Sequence, residues 1–150
     1  LNHRVPHLLQ QAKTDNATLS LAIIDMDLFK RINDDLGHLV GDKALRHVVQ
    51  TLREELDAEE PLIRIGGEEF LLVMRMPIGN AWERIEFLRK RLNANPFLSH
   101  PDAPPRVISF SAGLACCPHD ASDISGLLKH ADRRLRAAKQ QGRNRVIARD

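Results

Sequence analysis

Apolar positions recur along the chain at two spacings, and each spacing predicts a different element. Val5, Leu8, Leu9 and Ala12 stand three and four apart, which predicts a helix over residues 5–13 with Pro6 in its first turn. Residues 19–24 form an apolar run of strand length and predict a central buried strand. Residues 28–36 are polar and helix-compatible, closed by Gly37. Over residues 42–56, Ala44, Leu45, Val48, Val49, Leu52 and Leu56 make one stripe of an amphipathic helix. Residues 62–65 and 70–74 are apolar runs joined across Gly66-Gly67-Glu68-Glu69. That pattern predicts a hairpin, with the two glycines supplying the positive φ of a primed turn. A second long helix is expected over 79–93, a Pro-rich loop over 95–105 and a strand over 106–115. A helix capped by Ser122 should run to about Gln141, where Gly142 stops it, followed by a short strand over 145–148. Helices and strands interleave and one strand pair is a hairpin. The fold class is therefore α/β (α+β) with a mixed sheet wrapped by helices, in a single domain.

Composition narrows the function classes. The 150 residues are 43% apolar before glycine is added, a globular composition. No apolar run approaches the ~18–20 residues of a membrane span and no signal-peptide pattern opens the chain, so no membrane contact is expected from this segment. The two cysteines are adjacent, Cys116 and Cys117, which leaves no disulfide framework or four-ligand zinc site and fits a reducing cytoplasm. Five Phe, one Trp and no Tyr leave little for base stacking, against a nucleic-acid partner. The seven histidines form no dense metal-ligand cluster. The net charge of +2 conceals a separation: residues 129–145 carry seven Lys or Arg against one Asp, and the remainder is acidic by four charges. Such a basic end is either a solvated helix face or an anion site.

The acidic side of that separation carries candidate chemistry. Asp25 and Asp27 end a buried strand and share a face if the strand continues, and Glu68 and Glu69 lie on the hairpin. If the hairpin pairs beside the first strand, carboxylates from both meet at one sheet edge. Mg²⁺ suits such a place, because it takes oxygen ligands and is usually held by one or two carboxylates plus substrate phosphates. Missing Cβ atoms at Gly66 and Gly67 would let a phosphate approach the backbone.

These residues carry a resemblance. Residues 64–70, Arg-Ile-Gly-Gly-Glu-Glu-Phe, resemble the signature of GGDEF-type diguanylate cyclases. So do residues 24–34, Ile-Asp-Met-Asp-Leu-Phe-Lys-Arg-Ile-Asn-Asp, followed by Gly37-His38 and Gly41-Asp42. Residues 138–144, Ala-Lys-Gln-Gln-Gly-Arg-Asn, match the family's closing motif. The three blocks stand in the family's order and cover nearly the whole chain, in the GGEEF form. The resemblance implies a largely antiparallel central sheet akin to nucleotidyl cyclase and polymerase palm domains. It also implies condensation of two GTP into cyclic di-GMP with loss of pyrophosphate, across a homodimer in which each domain holds one GTP.

Roles follow from the same resemblance. Asp25, Glu68 and the backbone carbonyl of Met26 are implied as Mg²⁺ ligands, with Mn²⁺ a possible substitute, which leaves Asp27 to support the loop. Glu69 is implied either in deprotonating the attacking 3′-hydroxyl or in holding the metal shell. Asn33 and Asp42 match guanine-reading positions: an Asp accepts from guanine N1 and N2, and an Asn addresses O6 or N3. His38 is implied in ordering the loop near the base. Lys30, Lys139 and Arg143 match phosphate-contacting positions, the last two on one face if the helix persists. The amides around Leu28 and Phe29, at a helix start, and Gly67 are further phosphate contacts. Arg64 pairs either with a carboxylate or with phosphate. Arg133, Arg134 and Arg136 are left as solvated face.

The chain also departs from the family. Where many relatives carry an Arg-x-x-Asp inhibitory site, residues 57–60 are Asp-Ala-Glu-Glu, so product inhibition there is expected to be absent. The opening stretch matches only the tail of the family's first motif. The expectation is an output domain excised from a longer chain, with a sensory domain upstream. The main alternative function is a weak or inactive GTP-binding or protein-interaction module; another is a palm-type cyclase making a mononucleotide.

Overall fold

A computed structural model describes residues 3–150; the Leu1-Asn2 start of the opening stretch lies outside the described residues. The order of elements is α1 (Arg4–Thr14), β1 (Leu19–Met26), α2 (Phe29–Leu36), α3 (His38–Glu55), β2 (Leu62–Arg64), β3 (Glu69–Met74), α4 (Ile78–Asn93), β4 (Phe110–Cys117), α5 (Ile124–Gln140) and β5 (Val146–Ile147). The sheet order is β2-β3-β1-β4-β5. Every pairing is antiparallel except β4 with β5. The mixed, largely antiparallel sheet wrapped by helices is the expected fold.

β1 is central because both of its faces are covered. Ala22, Ile24 and Met26 point to a core shared with α3 and α4, whereas Leu19, Leu21 and Ile23 point to a second core shared with α1 and α5. Burying each such aliphatic side chain contributes about 1.5–3 kcal/mol. The same alternation carries Asp25, and Asp27 beyond it, to the α5 side. α5 presents Leu127, Ala131, Leu135 and Ala138 to that face, so Lys139, the residue after Ala138, lands beside the end of β1.

Several boundaries differ from expectation. α3 begins at His38, not Asp42, because Gly37 takes φ 87° and the chain re-enters a helix at once. Asp42 is thus in the second turn. The strand expected from 106 begins at Phe110; Arg106 instead makes an isolated bridge with Phe97, and Val107 is 61% exposed. α5 is capped by Asp123, whose Oδ1 accepts the Gly126 N–H at 2.8 Å, and not by Ser122. The hairpin is no two-residue primed turn. Residues 65–68 connect β2 to β3, and neither Gly66 nor Gly67 has positive φ.

Candidate functional site

The connection between β2 and β3 is held against the end of β1. Register pairs Asp25 directly with Glu69, and the Met26 N–H donates to the Glu68 carbonyl at 3.1 Å. Ile65 and Gly66 N–H groups both donate to the Glu69 carbonyl, at 2.9 and 3.3 Å. Arg64 pairs with neither a carboxylate nor an open phosphate position. Its Nε and Nη2 donate to the carbonyls of Gly66 (3.1 Å) and Gly67 (2.7 Å), which stiffens the loop from outside. A Cβ on Gly67 would meet nothing within 4 Å, and one on Gly66 only ordinary contact with Glu69 at 3.6 Å. Neither backbone angle nor internal packing demands glycine at Gly67, which leaves the approach of an external group as its use.

A cavity of about 480 Å³ opens beside this loop. Asp25, Met26, Leu28, Phe29, Lys30, Glu68, Lys139 and Arg143 line it, joined by Arg31, Asp34 and Asp35. Eight residues from three separated blocks of sequence are thereby brought to one place. A larger hollow of about 810 Å³ lies elsewhere, around Trp82, Arg134 and the end of the chain, and contains none of these groups.

Asp25 is the electrostatic centre of the cavity. Its side chain is only 14% exposed. Burial pushes its carboxyl up to about 7; nearby Lys139 opposes the shift, and Glu68 and Glu69 add to it. Oδ1 is sealed from solvent and receives no hydrogen bond. Lys139 Nζ stands 3.3 Å away in ion-pair contact. A buried acceptor without a donor costs about 1–3 kcal/mol unless something else satisfies it.

Asp27 has the opposite environment. Its carboxylate accepts from Ser109 Oγ at 2.7 Å, Ser111 Oγ at 2.6 Å, the Asn144 N–H at 2.9 Å and Lys139 Nζ at 3.3 Å. Buried and saturated, it is an anchor for the surrounding elements. The two serines carried no warning of this in the sequence.

Cations and amides surround the carboxylates. Lys30 follows Phe29 at the start of α2. Leu28 precedes it in the left-handed region at φ 56° and is 45% exposed, an uncommon conformation for a branched side chain, set at the mouth of the cavity. Arg143 does not continue the helical face of Lys139. α5 ends at Gln140, and Gly142, Arg143 and Asn144 all take positive φ in the turn that follows. The turn nevertheless brings Arg143 to the same cavity as Lys139. Arg134 is not solvated: it is 5% exposed, donates to both Asp120 oxygens at 2.8 and 2.9 Å and to the Leu114 carbonyl at 2.8 Å, and holds Asp120 down to about 2. Arg133 pairs with Asp150 at 2.8 Å, and Arg136 with Asp132 at 3.2 Å.

Asn33, His38 and Asp42 lie outside this cavity, at the corner between α2 and α3. His38 and Asp42 are exposed and Asn33 is half-buried. Among the described residues, no three His, Cys, Asp or Glu side chains come together as a metal cage. The oxygen donors lining the cavity are instead the spread carboxylates of Asp25, Glu68, Asp34 and Asp35, beside Met26. With Asp25 Oδ1, which has the Lys139 ion pair and no hydrogen bond, this set fits a hard divalent cation that completes its shell from water and phosphate.

A model of the family described as "Diguanylate cyclase, GGDEF domain" matches residues 1–145. The chain belongs to the diguanylate cyclase GGDEF domain family. Over 147 residues it is 35% identical to diguanylate cyclase DgcP of Pseudomonas aeruginosa, matching 97% of this chain but 22% of that protein, so it spans under a quarter of that relative's length. The fold superposes on the crystal structure of the GGDEF domain of PA1120 from Pseudomonas aeruginosa with a TM-score of 0.91 at 28% identity, covering 98% of this chain and 91% of that one. It also superposes on the active GGEEF domain of a diguanylate cyclase from Vibrio cholerae, TM-score 0.86 at 30% identity, covering 96% and 90%. Among the described residues of this GGDEF domain, no helix is long and apolar enough to cross a membrane.

Proposed function

We propose that this GGDEF domain condenses two molecules of GTP into cyclic di-GMP, working as a homodimer in which each copy presents one GTP to the other. Each 3′-oxygen forms a bond to the α-phosphorus of the facing nucleotide, the bond from that phosphorus to the pyrophosphate oxygen breaks, and the hydroxyl proton is lost. The observation that carries the reading is the buried Asp25 carboxylate, whose sealed Oδ1 has the Lys139 ion pair and no hydrogen bond, at a cavity it shares with Glu68, Lys139 and Arg143.

Asp25, Glu68 and the Met26 carbonyl would hold Mg²⁺, or Mn²⁺ in its place. When bound, the ion supplies charge neutralisation for the triphosphate and acidifies an attached hydroxyl. Lys139 and Arg143 bring positive charge to the leaving pyrophosphate, and Lys30 with the amides after Leu28 orients the phosphates. Gly67 leaves room for them. Glu69, paired with Asp25 across the strands, would take the 3′-hydroxyl proton or help hold the metal shell. Asn33 and Asp42 read the base, with His38 ordering their loop.

Inhibition through the 57–60 segment is absent in this reading. Glu60 accepts two hydrogen bonds from Arg84, both at 2.8 Å, and Arg84 also donates to the Glu55 carbonyl. That guanidinium, which holds the Glu60 carboxyl below its usual range, is already engaged, and Asp57 and Glu59 present negative charge to an anionic dinucleotide. A sensory domain upstream would set the association of the two copies. The reading is tested with Glu68→Ala: GTP turnover should vanish while the circular-dichroism spectrum is retained, and turnover at the wild-type rate would overturn it.

A further inference from the structure

The corner between α2 and α3 contains a close approach that the catalytic cavity does not explain. The Asn33 carbonyl accepts the Gly37 N–H at 2.8 Å, and the Gly37 carbonyl accepts the Gly41 N–H at 3.0 Å. These two bonds step the chain from the last turn of α2, through the positive-φ Gly37, into the first turn of α3. They fold the Asn33 side chain back onto the backbone of buried Gly41. A Cβ built on Gly41 would lie 1.7 Å from Asn33 Oδ1 and 2.9 Å from its Cγ, but 3.7 Å from Nδ2. The carbonyl end of the amide therefore occupies the volume of the missing side chain, and the amino end is turned away from it.

Helix propensity argues against a glycine here, since a glycine inside a helix is less favourable than alanine. Its φ is not in the left-handed region, so the backbone does not require it. Apart from α3's own backbone, the nearest atoms a Cβ would meet all belong to the Asn33 side chain. The one thing glycine supplies at this position is a seat for that amide.

We propose that Gly41 is a positioning residue for base selection: its bare backbone seats Asn33 Oδ1, so that Nδ2 is presented as a donor to guanine O6. Adenine carries an amino donor at that ring position, so a fixed donor there selects guanine and opposes adenine. A buried or fixed polar group left unpaired or opposed is what makes such readout selective. Asp42, one residue further on, supplies the acceptor for guanine N1 and N2 independently of the seat. This proposal rests on the reading of Asn33 and Asp42 as the base-contacting pair.

The test combines a ligand-free and a ligand-bound measurement on the same variants: wild type, Gly41→Ala, Asn33→Ala and the double variant. In ¹⁵N-resolved NMR without nucleotide, the Asn33 side-chain amide resonances should shift in Gly41→Ala, with thermal stability no lower than wild type. Calorimetry with α,β-methylene analogues of GTP, ITP and ATP in Mg²⁺ then reads selection. Gly41→Ala should weaken GTP binding roughly 10-fold and lower the GTP-to-ATP preference by about as much. The GTP-to-ITP ratio, which depends on N2 and Asp42, should stay unchanged, a pattern that general loosening of the helix would not produce. Asn33→Ala should show the same loss, and Gly41→Ala should add nothing to it. If the Asn33 resonances stay where they are, or the two losses add in full, the seat is overturned whatever the nucleotide does. If the resonances move and base preference does not, the reading of Asn33 as a base contact fails, and the selective role of Gly41 with it.

Discussion

The Asn144 N–H donates to Asp27 Oδ2 at 2.9 Å, across 117 residues of sequence. This one bond ties the turn after α5 to the end of β1, and so holds the Lys139 and Arg143 cations beside the Asp25 and Glu68 carboxylates. The turn needs such an anchor, because Gly142, Arg143 and Asn144 all adopt positive φ, which two non-glycine residues do not take up unaided. Asp27 has acceptors enough for two serines as well, so β4 is drawn into the same node.

Asp27→Ala should therefore act on both stability and binding. Leaving Lys139, Asn144, the buried Ser111 hydroxyl and the half-buried Ser109 hydroxyl without their acceptor is expected to cost about 2–4 kcal/mol in chemical denaturation. GTP affinity should fall about tenfold or more as the cations lose their setting. A denaturation midpoint unchanged from wild type would show that the node is dispensable.

The raised Asp25 carboxyl makes the stability of the metal-free protein depend on pH. Folding lifts this group from the ordinary 3.8 to about 7, so the folded state holds the proton more tightly than the unfolded chain. Its favourable contribution is complete below pH 3.8 and is lost as pH rises through 7. In chelator, Asp25→Asn should thus gain on wild type between pH 4 and 8, by on the order of 1–3 kcal/mol. Added Mg²⁺ should raise the wild-type melting temperature more at pH 8 than at pH 5.5 and leave the variant unmoved. A wild-type response to Mg²⁺ independent of pH would contradict the account of Asp25.

Arg134 and Asp120 are 5% and 7% exposed, the most enclosed ion pair among the described residues. Asp120→Asn is expected to destabilise by about 3–5 kcal/mol at pH 7, because it strands a buried guanidinium. The Asp120 carboxyl is held down to about 2 by hydrogen bonds from Arg134. Its contribution is present above pH 3.8 and lost as pH falls through 2, so wild type and variant should converge in acid. Equal stability of the two at pH 7 would sink this prediction.

Gly67→Ala separates fold from ligand. Open space surrounds the position, so the melting temperature should not fall, while GTP affinity should drop about tenfold. Retained affinity would mean that nothing approaches the backbone there.

Much of this was legible in the sequence, for physical reasons that differ by element. Continuous apolar runs marked β1 and β3 because two cores cover both faces of the sheet, stripes at helical spacing marked α1 and α3, and alternation put Asp25 and Asp27 on one face. Contacts between distant segments were not legible. Arg64 turned to carbonyls because the β2–β3 loop runs past its own strand end. Residues 106–109 left the sheet because Arg106 bridges Phe97 and exposes Val107. Arg134 reads as one of a row of surface cations until Asp120 closes over it. The Gly41 seat has no pattern at all; it exists only because Gly37 turns α2 back on α3.

Product identification by mass tests the central claim most directly. Purified domain incubated with GTP and Mg²⁺ should yield cyclic di-GMP with two pyrophosphates per product, at a rate falling faster than linearly on dilution. Recovery of intact GTP alone, or of a cyclic mononucleotide, would contradict it.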